Sequence, residues 1–264
     1  MPKRLIAVLT ALLLLPVLAP TPAGAAATVW HVVRPGETLS YVAALRGVTA
    51  GELAAWNGIP ANVPVQVDAV LRLNQPDVPL PDFRTRIELV TPASVNWKPL
   101  KRCPVLPINL RRVWVSYIDF TGAHRDGSVV VRKDVAERAQ QAFGTLYRWR
   151  FRIMGMAPMS INNPTEKNMA TVTAGYNCRA VGGTSVWSEH ASGTAIDINP
   201  FQNPMIRGRS IAPAGSQFYL QRDRYLIGMV HPEGAARAFM WNDFHWGGRW
   251  TSLKDYMHFS LTNK

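Results

Sequence analysis

The sequence reads SEHASGTAID at residues 188–197 and DYMHF at residues 255–259. Together these segments contain two imidazoles, His190 and His258, the carboxylate of Asp197, and a second carboxylate three residues before the last imidazole. A catalytic zinc needs three protein ligands and an open position for water, and hydrolysis also needs a base beside that water. The two segments therefore predict a zinc centre with an adjacent base.

The residues around each candidate ligand resemble short buried strands. Alternation directs Asp197 away from the isoleucines on either side of it, and a carboxylate buried there is costly unless it is paired. A bound metal would offset the cost of burying the Asp197 carboxylate. Capping a turn or pairing with an arginine would also offset it, and this segment alone favours neither the metal nor the non-metal interpretation. The second cluster, with His258 on a similar strand and Asp255 before it, favours the metal. Glu189 is a rival base, although its place beside His190 predicts that it points away.

Strand-like and helix-like stretches alternate without a regular βαβ rhythm, which predicts an α+β fold. Alternation and apolar content indicate strands near residues 113–120 and 128–131, and short buried strands near 195–198 and 257–261. The apolar positions of residues 134–148 recur with helical spacing, which predicts an amphipathic helix.

Residues 1–25 have the pattern of a secretory signal peptide. Lys3 and Arg4 precede an apolar run at 5–19, and small residues follow it. A membrane anchor is the alternative, but the run is shorter than the ~20 residues of a spanning helix and Pro16 interrupts it. We therefore expect an exported protein, extracellular or associated with the cell wall, with no integral membrane segment after signal removal.

The 264 residues carry a formal net charge of +12. A net positive charge of this size favours an anionic binding partner. The basic residues are scattered, however, and no basic run interleaved with aromatic residues indicates nucleic-acid binding. Export permits a disulfide, which predicts that the two cysteines, Cys103 and Cys178, form one, the alternative being two separate buried thiols.

A separate unit is predicted at residues 28–74, in the order strand, helix, helix and a closing strand at 65–73. The stretches VVRPGETLS at 32–40 and LAAWNGI at 53–59 resemble the two signature regions of the LysM module. This resemblance implies binding of glycans that contain N-acetylglucosamine, such as peptidoglycan or chitin. Prolines in residues 75–84 predict an extended linker, and residues 85–264 then form the second domain.

The segment at 188–197 also resembles the Ser-x-His-x-x-Gly-x-Ala-x-Asp signature of the zinc D-alanyl-D-alanine carboxypeptidase family. That family includes vancomycin-resistance dipeptidases and phage L-alanyl-D-glutamate endopeptidases, and residues 255–259 resemble its second signature. The resemblance covers roughly residues 103–264 and implies a zinc DD-peptidase-like domain, with a small antiparallel sheet and helices.

By this resemblance, His190, Asp197 and His258 are the Zn²⁺ ligands and Asp255 is the catalytic base. Arg179 takes the place of a substrate-facing arginine in the family. The implied function is hydrolysis of peptide bonds in peptidoglycan, by a carboxypeptidase or an endopeptidase.

Two further residues are predicted to bind substrate. One is Ser188, which begins the first signature, and the other is Trp246, whose glycine-rich and tryptophan-rich surroundings suggest a loop lining a groove. Core tryptophans on a turn explain the same pattern equally well. The alternative function is a non-catalytic peptidoglycan-binding wall protein that uses the peptidase domain as a scaffold. A lysozyme-like glycosidase would need paired carboxylates in a cleft, and no spacing in the sequence supports them.

Overall fold

The computed structural model describes residues 29–57, 59–62, 64–74, 80–159, 171–222 and 226–264. The predicted signal peptide at 1–25 lies outside the described residues, as does the part of the predicted linker at 75–79.

The N-terminal unit has the predicted order of strand, helix, helix and strand. Its elements are β1 (Trp30–Val32), α1 (Leu39–Leu45), α2 (Ala50–Asn57) and β2 (Val70–Arg72). The two strands pair antiparallel. The Thr38 hydroxyl caps α1 by accepting a hydrogen bond from the Tyr41 amide at 3.1 Å. The closing strand is shorter than predicted, because Asp68 has a left-handed φ of 68° that interrupts the extended chain.

The N-terminal unit contacts the second unit through a buried arginine. Arg152 is 4% exposed, and its Nε donates to the main-chain oxygen of Gly47 at 3.0 Å. Its guanidinium also forms an ion pair with Glu52 of α2. A charge buried at this level requires partners, so these contacts tie the two units together where the sequence predicted only a linker.

The second unit contains nine strands and two helices in its described residues. They are β3 (Thr85–Leu89), β4 (Leu110–Ile118), β5 (His124–Arg132), α3 (Ala136–Arg148), β6 (Ala195–Asp197), β7 (Met205–Arg207), β8 (Ser210–Ala212), α4 (Ala235–Met240), β9 (His245–Trp246), β10 (Lys254–Asp255) and β11 (His258–Ser260). The strands form three antiparallel sheets, in the orders β3-β4-β5, β6-β11-β9 and β10-β7-β8. These small antiparallel sheets and few helices confirm the α+β prediction.

One apolar core joins the largest sheet, both helices and the sheet of β6, β11 and β9. The predicted inward face of α3, including Phe143 and Leu146, is buried in this core. Phe143 contacts Phe239 of α4 edge to face, with ring centroids 5.5 Å apart. Phe259 of β11 then stacks on Phe239 at 4.4 Å. Because Phe259 is the direct neighbour of His258, this core fixes the strand that presents the candidate ligand.

Cys103 and Cys178 form the predicted disulfide, which closes a separation of 75 residues. Both cysteines lie in a small apolar cluster with Tyr176. The bridge therefore anchors the chain immediately before Arg179.

Candidate metal centre

The pairing of β6 with β11 places Asp197 directly opposite His258. Residues Glu189–Ser192 form a 3₁₀ turn that carries His190, and Gly193 ends this turn with a left-handed φ of 67°. A Cβ at Gly193 would lie 2.8 Å from the Arg132 amide nitrogen. Only glycine fits both the backbone conformation and the space, and it lets the chain turn sharply from His190 into β6.

The three predicted ligands lie together. Nε2 of His190 is 3.1 Å from Oδ2 of Asp197, and Nδ1 of His258 is 3.2 Å from Oδ1 of the same carboxylate. One possible ligand atom from each of the three residues lies within 4.8 Å of the others. The side chains are 6%, 17% and 8% exposed for His190, Asp197 and His258. This is a compact and nearly buried set of nitrogen and oxygen donors, the donor types that zinc binds in proteins.

The outer nitrogens of both imidazoles face main-chain oxygens. Nδ1 of His190 is 2.8 Å from the oxygen of Gly175, and Nε2 of His258 is 3.0 Å from the oxygen of Lys264. A carbonyl oxygen can only accept, so each outer nitrogen must carry the hydrogen. In a neutral imidazole the inner nitrogen then directs a lone pair at the Asp197 carboxylate. When the inner nitrogens carry no proton, two lone pairs and a carboxylate converge on one point where a cation would fit. Outer hydrogen bonds of this kind are typical of metal-bound histidines.

The electrostatics of the cluster agree with a cation site. Burial alone would raise the pKa of Asp197, but the charges and hydrogen bonds of His190 and His258 outweigh it and hold that pKa far below its usual range. Burial would likewise lower the pKa of His258, but the hydrogen bond and charge of Asp197 raise it. The carboxylate is therefore ionised, and positive charge beside it is favoured.

Asp255 is a buried carboxyl group next to this cluster. Burial, followed by the negative charge of Asp197, raises its pKa to about 7, while the charges of His258, Arg179 and Arg207 oppose the shift. Its Oδ1 has no hydrogen-bond partner among the described residues. A carboxyl that titrates near neutrality can exchange protons with a reacting group, which is what a general base requires.

Gly247 provides the space for Asp255. A Cβ at Gly247 would lie 2.6 Å from the main-chain oxygen of Asp255 and 3.0 Å from its Cβ. Gly247 therefore allows the chain to pack closely beside Asp255.

Arg179 lines a small cavity next to the ligands. The cavity is also lined by Asn177, His190, Asp197 and Pro200, among others. The Nε of Arg179 is buried without a hydrogen-bond partner among the described residues. Because this cavity reaches two of the three candidate ligands, an arginine there can meet a negatively charged group close to them.

The two residues predicted to bind substrate both have structural contacts. Trp246 is 4% exposed, its Nε1 donates to the Tyr256 oxygen at 2.9 Å, and its ring stacks on Phe259. Trp246 is therefore a core tryptophan that also lines a cavity, and its contact with substrate stays a prediction. Ser188 is 6% exposed, and its hydroxyl caps the 3₁₀ turn by accepting from the His190 amide at 3.3 Å. Its described contact is structural, within the turn that carries His190.

Glu189, the rival base, is held away from the candidate ligands. Its Oε2 accepts a hydrogen bond from the Thr194 hydroxyl at 2.6 Å, and Thr194 itself is buried. Glu189 is not part of the group of possible metal ligands found among the described residues. Sequence reasoning missed the main-chain oxygens of Gly175 and Lys264, since a backbone acceptor leaves no side-chain signal.

The fold brings together a His-Asp-His group that could hold a metal ion and a buried carboxyl group beside it. Residues 181–261 match the family model described as D-alanyl-D-alanine carboxypeptidase, and residues 31–74 match the LysM domain. Both resemblances seen in the sequence are thereby confirmed, and together they indicate a peptidase related to peptidoglycan. No curated protein and no solved structure matches the chain. Within the described residues, no helix has the length and apolar character needed to cross a membrane.

Proposed function

We propose that the protein is a secreted zinc metallopeptidase that hydrolyses peptide bonds in the stem peptides of peptidoglycan. The observation that carries this proposal is the buried group of His190, Asp197 and His258, with Asp255 beside it. These three residues would hold the zinc, and Asp255 would act as the base. Zinc, when bound, would supply the Lewis acidity that amide hydrolysis needs at neutral pH.

The residues of the chain have separate tasks in this reaction. Asp255 accepts a proton from the attacking water and later donates it to the leaving amine, a role that its pKa near neutrality supports. Arg179, on the cavity wall, stabilises negative charge that develops on the substrate. The hydrogen bonds to Gly175 and Lys264 keep both imidazoles oriented.

The LysM match at 31–74 supports a glycan-binding role for the N-terminal unit. Holding the enzyme on glycan strands would raise the local concentration of the peptidase at its stem-peptide substrate. We place the boundaries of this unit at residues 28–74 and those of the peptidase domain at 85–264. The pattern at residues 1–25 supports export to the cell wall or the medium.

The proposed activity is tested with purified peptidoglycan fragments and mass spectrometry. The protein should shorten stem peptides. A chelator should abolish the new products, and the Asp255→Asn variant should form them at least about 100-fold more slowly. Loss of a single terminal alanine identifies a carboxypeptidase, and internal cleavage identifies an endopeptidase. Intact stem peptides after incubation with the zinc-loaded protein would instead favour the non-catalytic wall-binding alternative.

A further inference from the structure

The last residues of the chain fold back onto one candidate metal ligand. After β11, the Leu261 amide donates to the Thr194 oxygen at 3.2 Å. The main-chain oxygen of Lys264 then receives two hydrogen bonds, from Nε2 of His258 at 3.0 Å and from the Ser260 hydroxyl at 3.2 Å. Residues 261–264, called the C-terminal segment below, therefore supply the acceptor for the outer nitrogen of His258.

One tryptophan holds this segment in place. Nε1 of Trp250 donates to Oδ1 of Asn263 at 2.8 Å, and the Trp250 ring lies 5.4 Å from the His258 ring. Asn263 has a left-handed φ of 59°, a conformation that asparagine tolerates better than most residues. The same indole therefore contacts the imidazole and anchors the turn that carries its hydrogen-bond acceptor.

The acceptor determines which nitrogen of His258 is available to a cation. When Nε2 donates its hydrogen to Lys264, the lone pair is on Nδ1, which faces Asp197. Without that acceptor, the neutral ring can carry its hydrogen on either nitrogen, and its orientation is less restricted. His190 has the equivalent acceptor in Gly175, within the folded domain. The acceptor of His258, the Lys264 oxygen, differs from that of His190 because it belongs to the short C-terminal segment, which a few contacts hold in place.

We propose that the C-terminal segment is a positioning element for the metal site, which orients His258 through the Lys264 oxygen and is itself held by the Trp250–Asn263 hydrogen bond. The proposal rests on the metal site of the proposed function. It predicts that metal affinity depends on residues that do not touch the metal. Loss of an outer hydrogen bond of this kind weakens metal affinity by about 10- to 100-fold.

The test measures Co²⁺ binding to the metal-free, full-length protein by visible absorption. Deletion of residues 262–264 should weaken Co²⁺ affinity about 10- to 100-fold, because it removes the acceptor. Asn263→Gly keeps the left-handed backbone but loses the side-chain acceptor, and it should weaken affinity by about 10-fold, at the lower end of that range. Asn263→Asp retains an oxygen acceptor for the indole and should bind Co²⁺ like the wild type.

A double-mutant cycle separates positioning from general destabilisation. Trp250→Phe keeps a ring beside His258 but loses the donor, so it should weaken affinity as Asn263→Gly does. The two changes combined should add little further loss, because they remove one hydrogen bond. Undiminished Co²⁺ affinity in the deletion variant, or equal losses in Asn263→Gly and Asn263→Asp, would overturn the positioning role alone. A wild-type protein that binds no Co²⁺ would overturn the metal site and this proposal with it.

Discussion

Replacement of Asp255 by asparagine should slow catalysis and change how stability depends on pH. The substitution preserves the shape of the side chain and removes the proton acceptor, while the three candidate ligands stay intact. Zinc should therefore still bind. General-base assistance is typically worth 10²- to 10⁴-fold, so hydrolysis of soluble muropeptides should slow by at least about 100-fold. Glu189→Gln provides the matched control and should retain activity.

The magnitude of the stability effect follows from the pKa of Asp255. In the folded, metal-free protein that pKa is about 7, whereas an aspartate in the unfolded chain titrates near ~3.9. The unfolded state therefore releases its proton first. As the pH rises between these two values, Asp255 lowers the free energy of unfolding by about 1.4 kcal/mol per pH unit. From about pH 5 to about pH 8 its cumulative effect is about 3 kcal/mol.

Asparagine does not titrate, so the variant should lose this effect. Denaturant unfolding of both metal-free proteins should show the variant gaining about 3 kcal/mol relative to the wild type between about pH 5 and about pH 8. Titrating groups that do not interact with Asp255 cancel in the difference between the two proteins. A difference that is independent of pH would refute the buried, protonated state of Asp255. Full activity in Asp255→Asn together with loss of activity in Glu189→Gln would refute its role as base.

Three further predictions concern the scaffold. Gly193→Ala should destabilise the protein by about 1–3 kcal/mol and weaken metal binding, because the alanine Cβ would meet the Arg132 amide in a left-handed turn. Unchanged thermal unfolding and metal affinity in this variant would contradict the prediction. Reduction of the Cys103–Cys178 bridge should lower the free energy of unfolding by about 4.5 kcal/mol, the value that the chain-entropy model gives for a loop of this length. Equal stability of the reduced and oxidised proteins would contradict a stabilising role of the bridge. A variant lacking residues 28–84 should pellet less with insoluble peptidoglycan yet still hydrolyse soluble muropeptides, and equal pelleting would exclude glycan binding by the LysM unit.

The candidate ligands were predictable because their chemistry lies in side chains at a characteristic spacing. Asp197 and His258 pair across two strands that alternation identifies, and Gly193 marks the turn between His190 and Asp197. The caps and apolar positions of the N-terminal helices predicted that unit in the same way. In these regions local pattern and tertiary structure agree.

Other features depend on distant partners and could not be predicted. Trp246 becomes a core residue because β9 pairs with β11, and a tryptophan in a groove has the same local sequence. Arg152 is buried by a partner, Glu52, that lies 100 residues away. The Lys264 oxygen is a backbone atom, which no side-chain pattern marks. Each of these depends on which surfaces meet after folding.

The central claim is that one metal ion binds among His190, Asp197 and His258. Anomalous diffraction at the zinc absorption edge, from crystals grown with zinc, tests it most directly. We predict one peak at ~2.0–2.2 Å from Nε2 of His190, a carboxylate oxygen of Asp197 and Nδ1 of His258. The same peak should be absent in His258→Ala. No peak at this position, or full zinc occupancy in His258→Ala, would contradict the account.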